Sequence, residues 1–293
     1  MSINLGTRKS KLALRQCEKV IRELEDIEVE ARKQTVATKG DEEANIYIHE
    51  IEGVGVFERK IDLLVLQGEL DAGVHSMKDI PSDLPKGIKI VAVLDRAWPR
   101  DLLVSKEYKS LSDLPEGSAV GTSSVRRRAQ LLWRRPDLEI RNLRGNVDTR
   151  LGKLEGNKYD AMVLAEAGLK RLGQSDYEEF TLPSLPAANQ GAIAVTARTE
   201  SEAAEQIANI SDKKTFRETH LERKVTEQVG GGCDIPLGVL VEKHEDQISI
   251  QVRIFTDDGS QSFEVTETVI DEKADSRVEK IGKEVAAWRE KYI

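Results

Sequence analysis

The sequence predicts a multi-domain α/β protein, in which two similar α/β domains precede a small α+β domain with a three-stranded antiparallel sheet. Three observations support this class. The 293 residues exceed what a single hydrophobic core usually serves. A strand, turn and helix plan occurs twice, and the C-terminal part alternates apolar and polar residues before an amphipathic helix. The predicted domains are residues 1–96 with 189–210, residues 97–188, and residues 211–293.

The two α/β domains are predicted to open in the same way. Residues 3–6 have the character of a strand, and a helix from about Ser10 to Leu24 follows, with Ser10 as a natural N-cap. Residues 118–121 form a second strand, and a polar turn leads into a helix from Val125. Both turns begin with Gly-Thr, which indicates a related local structure.

The similarity continues further along the chain. A predicted helix over 57–70 runs into a strand at 71–74, and a helix over 150–154 leads to a strand at 160–163. We therefore expect a weak internal duplication, with the backbone N–H groups of the helix starts facing a common cleft suited to anions.

The C-terminal domain follows a Pro- and Gly-containing stretch after Leu182, TLPSLPAANQGAIAV, which we interpret as the return from the second domain to the first. A helix from about Asp212 to Val229 stops at three glycines, residues 230–232. The segments LGVLVEKH, QISIQVRIFT and QSFEVTETVI then predict a three-stranded meander. The last 19 residues place Val278, Ile281 and Val285 on one helical face that can cover this sheet.

Composition excludes several functional classes. Hydrophobic residues make up 39% and charged residues 33% of the chain, which is typical of a soluble enzyme. No apolar run approaches the ~20 residues that span a bilayer, and the first residues lack a secretory pattern. A net charge of −8 opposes binding to nucleic acid or anionic membranes. We therefore expect a cytoplasmic protein with neither partner.

An arginine-rich segment stands out in this acidic chain. Between Gly121 and Arg150 there are eight arginines, no lysines and three acidic residues, a net charge of +5. A guanidinium group is planar, always charged and suited to bidentate contact with oxyanions. The segment therefore favours recognition of carboxylate or phosphate, although a solvated helix face is the alternative.

Two further segments carry side chains that are candidates for catalysis or ligand binding. Cys233 follows three glycines, which give its loop backbone freedom, although a free cysteine is more often a small buried hydrophobe. Lys78 and Asp79 follow a predicted buried strand, where active-site groups gather, although a surface ion pair is the alternative. No phosphate-binding P-loop, zinc-site spacing or nucleophile elbow occurs. The residues alone indicate an enzyme or a binding protein for a small polyanion.

Six motifs in order resemble the porphobilinogen deaminases: GTRKSKLALRQ, VHSMKDIP, GTSSVRRRAQLLWRRPDLEIRNLRGNVDTRL, AGLKRLG, PAANQGA and GGCDIPLG. The resemblance runs from residue 4 to about residue 240. It implies two domains like those of type II periplasmic binding proteins and a third domain whose cysteine, here Cys233, holds a dipyrromethane cofactor by a thioether. It also implies a monomeric transferase that condenses porphobilinogen into hydroxymethylbilane.

The resemblance assigns roles to residues. Asp79 matches the catalytic carboxylate, which stabilises the positive charge that develops as ammonia leaves the substrate. The positively charged and polar groups that balance the carboxylates of cofactor and substrate form two sets. Cofactor contacts are expected from Lys78, Thr122, Ser124, Arg126 and Arg127. Substrate contacts are expected from Arg8, Ser10, Gln16, Arg144, Arg150 and Arg171, with Gln190 as a weaker candidate.

The sequence departs from the family pattern at three positions. Val54 replaces a usual lysine, so we assign no substrate role to the loop over 42–58, and Lys60 replaces a usual acidic residue. Asn189 stands where glycine is usual. Two alternatives to the enzyme remain at this stage: a non-enzymatic small-polyanion-binding protein on the same two-domain scaffold, and an inactive or regulatory homologue that binds anions without turnover.

Overall fold

The computed structural model describes residues 2–36, 56–173, 177–231 and 234–293. The first part of the chain contains β1 (Ile3–Arg8), α1 (Lys11–Glu25), β2 (Ala31–Val36), α2 (Val56–Gln67), β3 (Ala72–Ser76), β4 (Ile88–Val93), β5 (Asp101–Ser105), β6 (Ala119–Gly121), α3 (Val125–Arg134), β7 (Glu139–Arg141), α4 (Val147–Glu155) and β8 (Ala161–Ala165). The remainder contains α5 (Glu166–Arg171), β9 (Glu178–Thr181), β10 (Ile193–Arg198), α6 (Glu202–Ala208), α7 (Lys213–Gln228), β11 (Leu237–His244), β12 (Gln247–Phe255), β13 (Ser262–Ile270) and α8 (Asp271–Tyr292).

One compact unit comprises Met1–Ala97 and Ala192–Arg217. Its sheet has the order β2-β1-β3-β10-β4. Strand β1 is parallel to β2 and β3, whereas β10 is antiparallel to both of its neighbours. Strand β10 thus comes from late in the sequence to fill the gap between β3 and β4. Apolar residues of α1, including Val20 and Leu24, pack on this sheet and are fully buried.

The other compact unit comprises Trp98–Gly191 and Glu218–Ile293, and it contains two sheets. The five-stranded sheet has the order β7-β6-β8-β5-β9. Strand β6 is parallel to β7 and β8, and β5 is antiparallel to β8 and β9. Buried residues cover both faces of this sheet, with Val120 and Val163 in one cluster and Met162 and Leu164 in another.

The two five-stranded sheets share one plan, which supports the predicted duplication. In each sheet, three parallel strands that are consecutive in the sequence are linked by helices. One antiparallel strand from elsewhere in the sequence, β10 in the first sheet and β5 in the second, then lies between the last of these strands and the edge strand. The predicted α/β class is therefore confirmed by strand order. The exact domain boundaries stay a prediction.

The second sheet of this unit is the predicted meander, with the order β11-β12-β13 and antiparallel pairing throughout. Helix α8 covers it with Val278, Ile281 and Val285, each fully buried in one apolar cluster. The outer edge of β11 is also covered, because the carboxylate of Glu222 accepts the N–H of Val241 at 2.8 Å. An exposed strand edge is prone to unwanted pairing, and this contact protects it.

Serine side chains cap helices α1, α3 and α6, and the sequence predicts the first of these caps, Ser10. The hydroxyl of Ser10 accepts the N–H of Ala13 at 3.2 Å, and that of Ser124 accepts the N–H of Arg127 at 3.4 Å. Each cap satisfies a backbone donor that the first helical turn leaves without a partner. Across the described ranges, no helix has both the length and the apolar character needed to cross a membrane.

Candidate active site

In the first unit, predicted site residues gather at the carboxyl ends of β1 and β3. Arg8 is the last residue of β1, and Ser10 caps the helix that follows. Gln16, one turn further along α1, donates its side-chain amide to Ser76 Oγ at 2.8 Å. Ser76 ends β3. In open α/β sheets, ligand-binding groups meet at the carboxyl ends of neighbouring parallel strands. The Gln16–Ser76 hydrogen bond connects the helix that follows β1 with the carboxyl end of β3.

Lys78 and Asp79 lie on a single 3-10 turn, Met77–Asp79, directly after β3. The turn is fixed because Met77 is buried and its N–H donates to Ala192 O at 3.0 Å. The Asp79 side chain is half-buried. Within the described part of the chain, its carboxylate accepts no hydrogen bond and forms no ion pair. This leaves a carboxylate held on a fixed turn with its acceptor capacity available to a ligand.

A buried polar cluster lies behind this turn. His75 Nε2 is 3.1 Å from Thr196 Oγ1 and 3.3 Å from Asp62 Oδ1, and Thr196 Oγ1 donates to Asp62 Oδ1 at 2.6 Å. All three side chains are almost completely inaccessible to solvent. His75 therefore belongs to the interior of the domain, although it adjoins the site in sequence. In the sequence, the only indication that Asp62 is buried is its position on the apolar face of α2.

In the second unit, the corresponding position after β6 carries Thr122 and Ser124. Thr122 Oγ1 accepts the N–H of Ser124 at 3.2 Å, so both hydroxyls organise the turn that starts α3. Gly121 is required at the strand end, because a Cβ there would lie 2.9 Å from the Tyr159 ring. The turn is therefore held in one conformation by side chains on both sides.

Arg126 and Arg127 surround one buried carboxylate, Asp101, the first residue of β5. Arg126 Nη1 donates to Asp101 Oδ2 at 2.7 Å, and Arg127 donates through Nε at 3.1 Å and Nη2 at 2.7 Å to Oδ1. Burial alone would raise the pKa of Asp101, but the charges and hydrogen bonds of the two arginines outweigh it and hold that pKa well below its usual range. One carboxylate for two guanidinium groups leaves one positive charge in excess.

Gln190 completes this network rather than standing apart from it. Its side-chain amide donates to Pro99 O at 2.7 Å and to Asp101 Oδ1 at 2.9 Å. Asp101 is thus a key residue of the site region that the sequence did not reveal. The only local signal is a charged residue at the start of the apolar segment DLLVS, which is entirely buried.

Three other predicted arginines keep donors available. Arg150 Nε donates to Gly145 O at 2.8 Å, Arg171 Nη2 donates to Gly191 O at 2.7 Å, and Arg144 is exposed. Within the described residues, none of the three contacts a carboxylate. Burial lowers the pKa of Arg171 to about 10, and burial together with the charge of Arg127 lowers the pKa of Arg150. Positive charge without a protein counter-ion fits a ligand that carries carboxylates.

Several predicted positions lie outside the described residues: Cys233, Val54 and the loop residues 42–55. The structure describes the chain up to Gly231, two residues before Cys233. Helix α7 ends at Gln228, Arg289 Nη1 donates to Val229 O at 2.8 Å, and Gly230 has a φ of 80°. The helix therefore ends just before the glycines, one residue earlier than the predicted Val229. Lys60 is exposed on α2.

The backbone conformation of Asn189 explains why asparagine can stand where the family usually has glycine. Its φ is 64°, in the left-handed region where glycine is usual and asparagine is the best tolerated substitute. Its N–H donates to Glu222 Oε2 at 2.5 Å, and its side chain is buried. The asparagine therefore keeps a backbone conformation that glycine would adopt without strain.

We expect Asn189→Gly to change the free energy of unfolding by less than about 1 kcal/mol and Asn189→Ala to lower it by about 1–2 kcal/mol, because alanine is strained at positive φ. Urea denaturation of both variants measures this. Since both remove the same side-chain amide, equal stabilities would show that the backbone conformation is not what position 189 requires.

These features are typical of a multi-domain α/β protein with binding groups for a small anionic ligand. Two family models match the chain: the porphobilinogen deaminase dipyrromethane cofactor binding domain over residues 3–206 and the porphobilinogen deaminase C-terminal domain over residues 216–288. The chain belongs to the porphobilinogen deaminase family.

Curated relatives agree with this assignment over almost the whole length. The chain is 41% identical over 294 residues to the porphobilinogen deaminase of Geobacillus kaustophilus, covering 98% of this chain and 93% of that protein. It is 43% identical over 269 residues to the probable porphobilinogen deaminase of Methanocella arvoryzae, covering 91% and 89%. Among solved structures, the methionine binding protein MetQ is 13% identical with a TM-score of 0.47, covering 76% of this chain and 94% of that one.

Proposed function

We propose that the chain is a hydroxymethylbilane synthase, which joins four porphobilinogen molecules head to tail with loss of ammonia. The observation that carries this proposal is the set of guanidinium groups, Arg144, Arg150 and Arg171, whose charges no carboxylate of the described residues balances. Porphobilinogen carries an acetate and a propionate, so each added unit brings two carboxylates. A fixed array of guanidinium groups offsets the desolvation and mutual repulsion of such a chain.

The residues present fit the family's cofactor. Arg126 and Arg127 retain one positive charge beyond Asp101, and the turn of Thr122 and Ser124 presents the N-terminus of α3. These groups would hold carboxylates of a dipyrromethane attached at Cys233, and Lys78 is assigned to the cofactor by the family resemblance. When bound, this cofactor supplies the pyrrole carbon to which the first substrate unit is joined.

Asp79 is assigned the catalytic role. Its carboxylate accepts hydrogen bonds from the pyrrole and amino N–H groups of the substrate and stabilises the positive charge that develops as ammonia leaves. A preorganised charge is worth most where the site is shielded from water, and Asp79 is half-buried on a fixed turn. Arg8, Ser10 and Gln16 are assigned to the substrate side chains.

The decisive test is the intact mass of the purified protein. We expect a mass above that of the sequence by one dipyrromethane, an increment that Cys233→Ser abolishes. Cys17→Ala is the matched control, because Cys17 is the other cysteine, lies fully buried in the core and should leave the increment in place. An active preparation with the unmodified mass would contradict the proposal, and a bound anion without turnover would favour the non-enzymatic alternative.

We also propose that the enzyme is a cytoplasmic monomer. Light scattering of the purified protein should give the monomer mass, 32.7 kDa plus the cofactor. A dimer mass at working concentrations would contradict this.

A further inference from the structure

A small cavity lies in the second unit between the C-terminal half of α3 and the segment that follows β9. Apolar side chains such as Leu131 and Leu182 line part of its wall, and Arg127, Arg134 and Ser184 line the remainder. The cavity volume is about 10 Å³, and by the same measure a single water molecule needs ~10–15 Å³. A volume of this size admits only a single small species, such as a water molecule or a monatomic ion.

Two polar atoms of the lining residues are buried without a hydrogen-bond partner. They are Arg134 Nη1 and Ser184 Oγ, and neither has an acceptor or donor within the described residues. The other terminal nitrogen of Arg134 donates to Pro183 O. Leaving a buried donor unsatisfied is costly, more so when the donor is charged, so such atoms usually mark a bound water or ion.

The charge of the cavity wall distinguishes between a bound water and a bound ion. Arg134 has no carboxylate within 4.0 Å among the described residues, and burial together with the nearby charge of Arg253 lowers the pKa of Arg134. The acidic groups that pair with the arginines of this region are already engaged. Asp101 binds both Arg126 and Arg127, and Glu264 pairs with Arg253. The wall therefore carries excess positive charge, which a neutral water would leave unbalanced and an anion would offset.

We propose that this cavity is a binding site for one monatomic anion of the halide class, held by Arg134 Nη1 and Ser184 Oγ. A phosphate or sulfate is too large for a volume of about 10 Å³. By linking α3 to the segment after β9, the anion stabilises the second unit. Arg127, which is assigned to the cofactor, also lines this cavity, but the two residues that hold the anion, Arg134 and Ser184, have no role in the proposed enzymatic activity.

Bromide provides a direct probe, because its anomalous scattering distinguishes it from water. Crystals of the full-length protein soaked in potassium bromide should show an anomalous peak in contact with Arg134 Nη1 and Ser184 Oγ. A peak without anomalous signal at this position, as given by water, would overturn the proposal.

Thermal unfolding tests the site in solution. We expect potassium chloride to raise the melting temperature by about 3 °C over potassium gluconate of equal ionic strength, the shift for an anion at roughly ten times its dissociation constant. Arg134→Gln and Ser184→Ala should each remove most of this difference. The control is Arg128→Gln, an identical charge change on the exposed face of α3, which should retain it. Equal melting temperatures in the two salts, or an equal loss in the control, would contradict a specific site.

Discussion

Asp79→Asn is expected to give a folded protein that carries its cofactor and turns over roughly 10²–10⁴ times more slowly than the parent. Asparagine has the shape of aspartate but no negative charge, so it cannot stabilise the cation that forms as ammonia leaves. Because the Asp79 carboxylate accepts no hydrogen bond within the described residues, its replacement leaves no known protein donor unsatisfied. The loss should therefore appear in kcat and not in the free energy of unfolding.

The matched control for this prediction is Asp83→Asn. Asp83 lies four residues further along the same connection and is exposed. It undergoes the same chemical change without a place on the 3-10 turn, so its kcat should stay close to that of the parent. Steady-state kinetics, with intact mass to verify cofactor content, decide the matter. An Asp79→Asn enzyme with near-normal kcat and full cofactor would remove Asp79 from the mechanism.

Elements with a local signal could be predicted from the sequence. Ser10 acts as the predicted N-cap, helix α3 begins at the predicted Val125, and the alternation of residues 237–270 predicts three strands that the structure contains. The sequence gives no comparable signal for β2, whose central residues are exposed and polar. Nor does it show that β10 pairs between β3 and β4, because its hydrogen-bonding partners lie about a hundred residues or more away. Such pairings depend on the whole sheet rather than on a local pattern.

The roles of the arginines in the arginine-rich segment also depend on contacts that a local sequence pattern does not show. In the sequence its arginines are equivalent, and all favour oxyanion binding. In the structure Arg126 and Arg127 share the buried Asp101, whereas Arg144 and Arg150 contact no carboxylate of the described residues. Asp101 precedes Arg126 by 25 positions and lies on strand β5, whereas Arg126 lies on helix α3. Only the fold shows which positive charges are balanced by the protein and which are available to a ligand.

Asp101→Asn tests this distinction and should have the largest effect on stability. The substitution removes the counter-ion of two buried guanidinium groups, which leaves uncompensated charge in the interior. Breaking a buried ion pair in this way costs about 3–5 kcal/mol. Urea denaturation at pH 7 measures the loss. Asp137→Asn is the control, since it removes a carboxylate that pairs with Arg135 near the surface, and its effect should be much smaller.

The pH dependence identifies the cause of that loss. The pKa of Asp101 is lowered in the folded protein, so the unfolded chain binds the proton first as the pH falls. The stability contributed by the ionised carboxylate is therefore complete above about pH 5 and shrinks steadily below it. The gap in unfolding free energy between the parent and Asp101→Asn should narrow over the same range. A gap that stays constant from pH 7 to pH 3 would mean that Asp101 acts through packing and not through its charge on Arg126 and Arg127.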